Sequence, residues 1–146
     1  MGKAELLSEL NYAKRQLSSY KAKLSTLKDK LSTAETFASE CASRISSFEE
    51  SMSKRKSRLL TFEALISSVK AAAKYKEKMN NMLNGPEYSS TVASIDQLQA
   101  SISSEKRKIV EDIQYVEGQI SYYESRVSNL QYQYNNYPEE VDDSGQ

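Results

Sequence analysis

The sequence predicts an all-α protein, a long antiparallel helical hairpin, and three observations lead to this prediction. The chain has only 4 glycines and 2 prolines in 146 residues, so it lacks the many turns that a sandwich or a barrel needs. Its apolar residues are too few for a globular α/β core, and they recur every three or four residues instead. A single Asn-Gly-Pro cluster at positions 84–86 separates two segments patterned in this way.

The first patterned segment keeps a 3.5-residue repeat from Leu6 to Ala73, which is typical of a helix in a coiled-coil seam. Alternate steps of four and three residues reach an apolar residue or a tyrosine every time except at Arg55. We therefore predict one helix over residues 3–82. The seam positions are Leu6, Leu10, Ala13, Leu17, Tyr20, Leu24, Leu27, Leu31, Ala34, Ala38, Cys41, Ile45, Phe48, Met52, Arg55, Leu59, Phe62, Ile66, Val69 and Ala73.

An alternative has three helices. Ser32-Thr33-Ala34-Glu35 fits a capping box, which would start a new helix near residues 32–36. The apolar repeat passes through this segment without a slip, and this continuity favours a single helix.

The second patterned segment predicts a helix over residues 91–136. Its seam contains two polar residues, Gln99 and Lys106, so we expect the weakest packing between them. The seam positions are Val92, Ile95, Gln99, Ile102, Lys106, Ile109, Ile113, Val116, Ile120, Tyr123, Val127, Leu130, Tyr134 and Tyr137.

The segment between the two helices predicts the hairpin turn, over residues 83–90. It begins with Leu83, Asn84, Gly85 and Pro86. Gly85 suits a left-handed helix C-cap, and Pro86 cannot continue a helix. This turn would place Tyr137 opposite Phe37. Residues 138–146 are acidic and unpatterned, and we predict a disordered tail outside a single domain of residues 1–137.

Charge is balanced overall but unevenly distributed. There are 16 basic and 9 acidic residues before Glu87, and 4 basic and 11 acidic residues from Glu87 onwards. The predicted hairpin would set the basic patch of the first helix against acidic residues of the second, although contact with a partner is an alternative. The patch comprises Lys54, Arg55, Lys56 and Arg58, and the acidic residues are Glu111, Asp112 and Glu117.

The composition argues against catalysis. The chain has no histidine, one cysteine and four scattered glycines, which excludes His-dependent triads, zinc sites built on several Cys or His ligands, and glycine-rich phosphate loops. We expect no enzyme activity, no cofactor and no metal. No apolar run reaches about 18 residues, so we expect no membrane span, and the zero net charge gives no support for nucleic-acid binding.

The sequence instead predicts protein–protein interaction. With the turn at residues 83–90, the first helix would extend beyond the second, and its leucine-rich start would have no partner within the chain. An exposed apolar stripe of this kind marks an interaction site. The predicted partner-binding residues are Leu6, Leu10, Leu17, Tyr20, Leu24, Leu27 and Leu31. Tyr115, Tyr122 and Tyr132 lie off the seam, which is also typical of an interface.

The pattern Tyr75-x-x-x-Met79-x-x-x-Leu83-x-Gly85, between a Leu/Lys/Ser-rich and a Ser/Ile-rich helix, resembles the YwqH-like proteins. These are small helical proteins related to the WXG100-like hairpins of Gram-positive type VII secretion, and they are encoded beside toxins with LXG domains. Leu83 stands where the WXG100 bend carries tryptophan. The export pattern Tyr-x-x-x-Asp/Glu is absent after Tyr132, Tyr134 and Tyr137.

This resemblance implies a non-enzymatic partner that binds the N-terminal helical domain of an LXG toxin, or a second small helical protein, and supports secretion. It implies a cytoplasmic protein, or one secreted within a complex without a signal peptide. The alternative function is a self-associating structural coiled coil, a tether or filament component that forms a homodimer.

Overall fold

The computed structural model describes residues 1–65 and 70–139, and within them the side chains of residues 1–61 and 73–139. All regular structure in these residues is helical: α1 is Lys3–Leu65, α2 is Lys70–Asn84 and α3 is Pro86–Asn135. The predicted all-α helical hairpin is confirmed. The helices form two compact units: unit 1 combines Met1–Leu31 with the described residues from Lys108 onwards, and unit 2 is Ser32–Arg107.

Helix α1 is continuous through residues 32–36, so the alternative with a break there is not adopted. The Ser32 carbonyl accepts a hydrogen bond from the Thr36 hydroxyl at 3.0 Å, a contact that Ser and Thr make inside helices. The N-terminal cap of α1 lies at Gly2 and not at Ser32. There the Gly2 amide donates to the Glu5 carboxylate at 2.9 Å, and the Gly2 carbonyl accepts from the Leu6 amide.

In unit 1, the start of α1 packs antiparallel to the end of α3. Leu6, Leu10 and Ala13 form a buried core with Leu130. The Lys3 ammonium lies 5.4 Å from the centre of the Tyr134 ring. Four half-buried residues of the C-terminal segment complete this core: Tyr123, Val127, Tyr134 and Tyr137.

In unit 2, α1 packs antiparallel to α2 and the beginning of α3. Met52, Leu59 and Leu83 form the buried core, and Phe48 stacks on Tyr88 with ring centroids 6.4 Å apart. The chain direction therefore reverses between the end of α1 and the start of α2. The prediction of one helix over residues 3–82 is wrong, as is the prediction that the chain reverses at residues 83–90.

The reversal was misplaced because the apolar repeat continues across it with no glycine or proline to mark it. The predicted seam residues Phe62, Ile66 and Val69 lie outside the described side chains, and Ala73 is exposed. From Leu6 to Leu59, every seam side chain is buried or half-buried except Arg55. From Val92 to Tyr137, every seam side chain is likewise buried or half-buried except Gln99. The seams are therefore confirmed from Leu6 to Leu59 and from Val92 to Tyr137.

The predicted turn shrinks to one residue, Gly85, between two helices. Leu83 is fully buried, Asn84 is the last residue of α2, and Pro86 is the first of α3. Proline suits this first position because its missing amide hydrogen would have no helical acceptor. The second helix thus begins at residue 86 rather than 91, and it ends at Asn135 rather than residue 136.

Of the left-handed or turn conformation expected at Gly85, the left-handed one is wrong, because no described residue has a positive φ; Gly85 forms a bend instead. Glycine is needed at this position for space: a Cβ would overlap the carbonyl oxygen of Asn81. The Gly85 carbonyl accepts a hydrogen bond from the Ser89 amide at 3.2 Å and so begins α3. At the other end of α3, residues 137–139 are not helical, and the rest of the predicted tail lies outside the described residues.

Candidate protein-interaction surface

The leucine-rich start of α1 does not form the predicted open stripe. Leu6 and Leu10 are buried in the core of unit 1. The other predicted partner-binding residues are half-buried: Leu17, Tyr20, Leu24, Leu27 and Leu31. The prediction that this segment lacks a partner within the chain is wrong. Because the chain reverses after residue 65, the end of α3 is long enough to pack against the start of α1.

Unit 1 instead exposes a set of tyrosines on one edge of its helix pair. Tyr12, Tyr115 and Tyr122 are 50%, 61% and 56% exposed, respectively, and we call them the tyrosine face. Each directly precedes a seam residue in the sequence, which places all three on the same edge of the pair. The exposure predicted for the off-seam Tyr115, Tyr122 and Tyr132 is confirmed.

The tyrosine face rests on two half-buried tyrosines of the seam. Tyr20 and Tyr123 stack across the helix pair with ring centroids 5.8 Å apart and planes 22° apart. Tyr122 meets Tyr123 edge-on, with centroids 5.0 Å apart. Offset stacks and edge-on contacts are the favourable arrangements of aromatic rings, so this packing supports the exposed Tyr122 ring.

The supporting tyrosines are partly screened from water. Desolvation raises the pKa of the Tyr20 hydroxyl above its usual value of 10.0, and the nearby Tyr115 hydroxyl adds to the rise. Desolvation likewise raises the pKa of Tyr123, with a further contribution from the Tyr12 hydroxyl. Each seam tyrosine therefore has a member of the tyrosine face beside it.

A groove of about 480 Å³ continues the tyrosine face along the same edge. Leu27 and Val116 supply its apolar lining, and Tyr115 belongs to both the face and the groove. Its polar lining consists of Ser19, Lys23, Thr26, Lys30 and Asp112, and Ala22 completes it. An apolar lining with a few polar groups is typical of a binding groove.

The opposite edge of unit 1 is occupied by polar pairs between the helices. Lys14 donates to the Gln131 side chain at 3.0 Å, and Lys21 pairs with Glu124 at 3.2 Å. Both lysines directly follow a seam residue, whereas the tyrosines directly precede one, so the two sets lie on opposite edges. On the tyrosine edge, Arg126 pairs with Glu9.

The basic patch of unit 2 does not make the predicted pairs. Lys54 pairs with Glu50 of the same helix at 3.0 Å, and Lys56 lies 4.4 Å from the centre of the Tyr88 ring. The predicted acidic partners Glu111, Asp112 and Glu117 belong to unit 1. That prediction depended on a reversal at residues 83–90, so it is wrong for the same reason as the turn.

Within the described residues, no group of three His, Cys, Asp or Glu side chains could hold a metal ion. No helix in the same part of the chain is both long and apolar enough to cross a membrane. No protein-family model, no curated protein and no solved structure matches this chain.

Proposed function

We propose that this chain is a non-enzymatic binding module that receives a helix of another protein on the tyrosine face and the adjoining groove of unit 1. The observation that carries the proposal is the exposure of Tyr12, Tyr115 and Tyr122 on one edge, beside an open groove with an apolar lining. Tyrosines are enriched at protein interfaces because each buries a large area and orders few rotatable bonds.

The chemistry of the groove favours a helix as the ligand. Leu27 and Val116 can contact apolar side chains from successive turns of a bound helix. Lys23 and Lys30, seven residues apart on α1, line the same groove. Helix-in-groove recognition needs this combination of an apolar strip and flanking charge. An acidic residue beside each apolar anchor of the ligand would meet these lysines, and Asp112 would accept one basic residue.

The resemblance to YwqH-like proteins extends the proposal to a partner. The ligand is then the N-terminal helical domain of an LXG toxin, or a second small helical protein of the same system. Bound in this way, the chain accompanies its toxin to a type VII secretion machine, either leaving with it or remaining in the cytoplasm.

The test is calorimetric titration of the full chain with the N-terminal domain of an LXG toxin encoded beside its gene. Replacing Tyr115 and Tyr122 with alanine removes two rings of the face, and we expect affinity to fall by about tenfold or more. Tyr132→Ala is the matched control, since Tyr132 is also exposed but lies outside the face. Equal affinity of the double variant and the control would refute the proposed surface.

The alternative function, a self-associating structural coiled coil, predicts concentration-dependent mass for the purified chain alone. The structure gives less support to this alternative than to partner binding, since the described seams are largely occupied within the chain. Sedimentation equilibrium over a wide concentration range separates the two. We expect a monomer, and a dimer lost in the Tyr115→Ala/Tyr122→Ala variant would identify the tyrosine face as a self-association surface instead.

A further inference from the structure

Unit 2 has a groove of its own, about 320 Å³ in volume, between α1 and α2. We call it the arginine groove, after the two arginines of α1 that line it. Leu59 is buried at its base and Met79 is half-buried, while Tyr75 and Met82 are exposed. Its lining residues are Arg55, Arg58, Leu59, Tyr75, Met79 and Met82.

Arg55 is a charged, exposed residue at a seam position, where packing alone would favour an apolar side chain. It occupies the one position of the first seam where the apolar repeat fails, and it is exposed where its seam neighbours Met52 and Leu59 are buried. Within the described part of the chain, neither Arg55 nor Arg58 forms an ion pair or a hydrogen bond. By contrast, the adjacent Lys54 is paired with Glu50.

The two stretches of chain that carry the groove are strongly basic. Residues 54–58 and 73–79 together hold seven lysines and arginines and one acidic residue, Glu77. The surroundings of the groove therefore favour a negatively charged ligand. The thioethers of Met79 and Met82 favour apolar side chains of varied shape, because methionine is flexible and polarisable.

We propose that the arginine groove binds an acidic amphipathic helix of another protein. Apolar side chains of that helix enter between Tyr75, Met79 and Met82, and its carboxylates pair with the two guanidinium groups. Arg55 and Arg58 stand three residues apart on α1, so their side chains project from one face. They match carboxylates one turn apart on the ligand, and each can bind a carboxylate with two parallel hydrogen bonds.

A peptide fits this groove better than a nucleic acid does. The apolar lining would contribute nothing to binding a phosphate backbone, and the chain as a whole has zero net charge to attract a polyanion. The arginine groove belongs to unit 2 and the tyrosine face to unit 1. This second site therefore goes beyond the proposed function and does not depend on it.

The probe for the test is a fluorescein-labelled synthetic peptide of about 18 residues, long enough to become helical. It carries leucine along one face and glutamate on both flanks. Fluorescence anisotropy measures its binding to the full chain. The control peptide has lysine in place of every glutamate, and single-stranded oligo(dT) and phosphatidylglycerol vesicles are offered separately.

The protein variant is Arg55→Gln/Arg58→Gln, and its matched control is Arg15→Gln/Arg44→Gln, which removes the same charge from two other exposed arginines of α1. We expect the acidic peptide to bind the native chain and the control equally, and to bind the groove variant at least about tenfold more weakly. Met82→Ser should also weaken binding of the acidic peptide.

Three results would overturn the proposal. Equal binding of the lysine peptide would show that charge does not select the ligand. Unchanged affinity in the Arg55→Gln/Arg58→Gln variant would place the peptide elsewhere. In the third result, the acidic peptide fails to bind, while oligo(dT) or the vesicles bind the native chain and not the Arg55→Gln/Arg58→Gln variant. That result would assign the groove to a nucleic acid or a lipid surface. None of these results depends on the tyrosine face.

Discussion

Tyr20 stacks on Tyr123 across the helix pair of unit 1, with ring centroids 5.8 Å apart. This contact fixes which turn of α1 faces which turn of α3. It also supports Tyr122, which meets the Tyr123 ring edge-on. The stack therefore serves both the stability of unit 1 and the position of the surface that we propose for partner binding.

Removing one ring of the stack should destabilise the protein. We expect Tyr20→Ala to lower the Tm by about 5 °C, because the substitution loses both the buried area and the ring contact. Thermal unfolding followed by circular dichroism measures the change. Tyr132→Ala, which removes a highly exposed ring, should leave the Tm nearly unchanged. Equal losses in the two variants would show that the stack contributes nothing specific.

Stability should fall at alkaline pH. Desolvation raises the pKa of both Tyr20 and Tyr123 in the folded protein. Their contribution is therefore complete below the unfolded-state pKa of about 10 and is lost as pH rises through the folded-state values. We expect urea midpoints to decrease above about pH 10.

The control for this pH dependence is Tyr20→Phe/Tyr123→Phe, which keeps both rings and removes both ionisable hydroxyls. Its urea midpoint should decrease less than that of the native chain over the same pH range. If the two curves were parallel, other groups, such as the lysines, would be responsible for the alkaline loss.

The start of α1 offers a direct test of where the hairpin reverses. Leu10 is 2% exposed and Leu7 is 40% exposed. We expect Leu10→Ala to lower the free energy of unfolding by about 2–5 kcal/mol and Leu7→Ala by much less. Urea denaturation measures both. If Leu10→Ala were harmless, residues 6–31 would be unpaired in the isolated chain, as a reversal at residues 83–90 requires.

Two glycines provide opposite expectations for the same substitution. At Gly85 a Cβ would overlap the Asn81 carbonyl, so Gly85→Ala should destabilise by about 1–3 kcal/mol. At Gly118, inside α3, a Cβ meets nothing within 4 Å, and Gly118→Ala should stabilise by about 0.5–1 kcal/mol. Calorimetric melting of both variants checks the signs. Stabilisation by Gly85→Ala would contradict the close approach seen here.

The sequence predicted the fold class and both seams, because a repeat of apolar residues at 3.5-residue spacing is a direct record of which side chains face a partner helix. It could not locate the reversal. The segment around Ile66 and Val69 keeps the repeat and contains no glycine or proline, whereas Asn84, Gly85 and Pro86 carry every usual breaker signal. Helix pairing depends on contacts between distant residues, which this local pattern does not record.

The candidate surface was predicted only in part. Tyr115 and Tyr122 were recognised as lying off the seam, but the groove beside them was not. A usable signal was present: the two tyrosines are seven residues apart and so share an edge of α3. Tyr12 lies on α1, and its place in the surface depends on which helices pair. A reversal at residues 83–90 would leave the segment that contains Tyr12 without a partner helix in the chain.

Leu83 and Tyr88 pack in the same core of unit 2, although they are five residues apart. In an unbroken α-helix this spacing would turn the two side chains about 140° away from each other. The interruption at Gly85 cancels that rotation, so the apolar stripe of α3 starts in a new phase while both helices remain antiparallel to α1. In a heptad-patterned chain, a glycine–proline pair can thus mark a correction of phase and leave the direction of the chain unchanged.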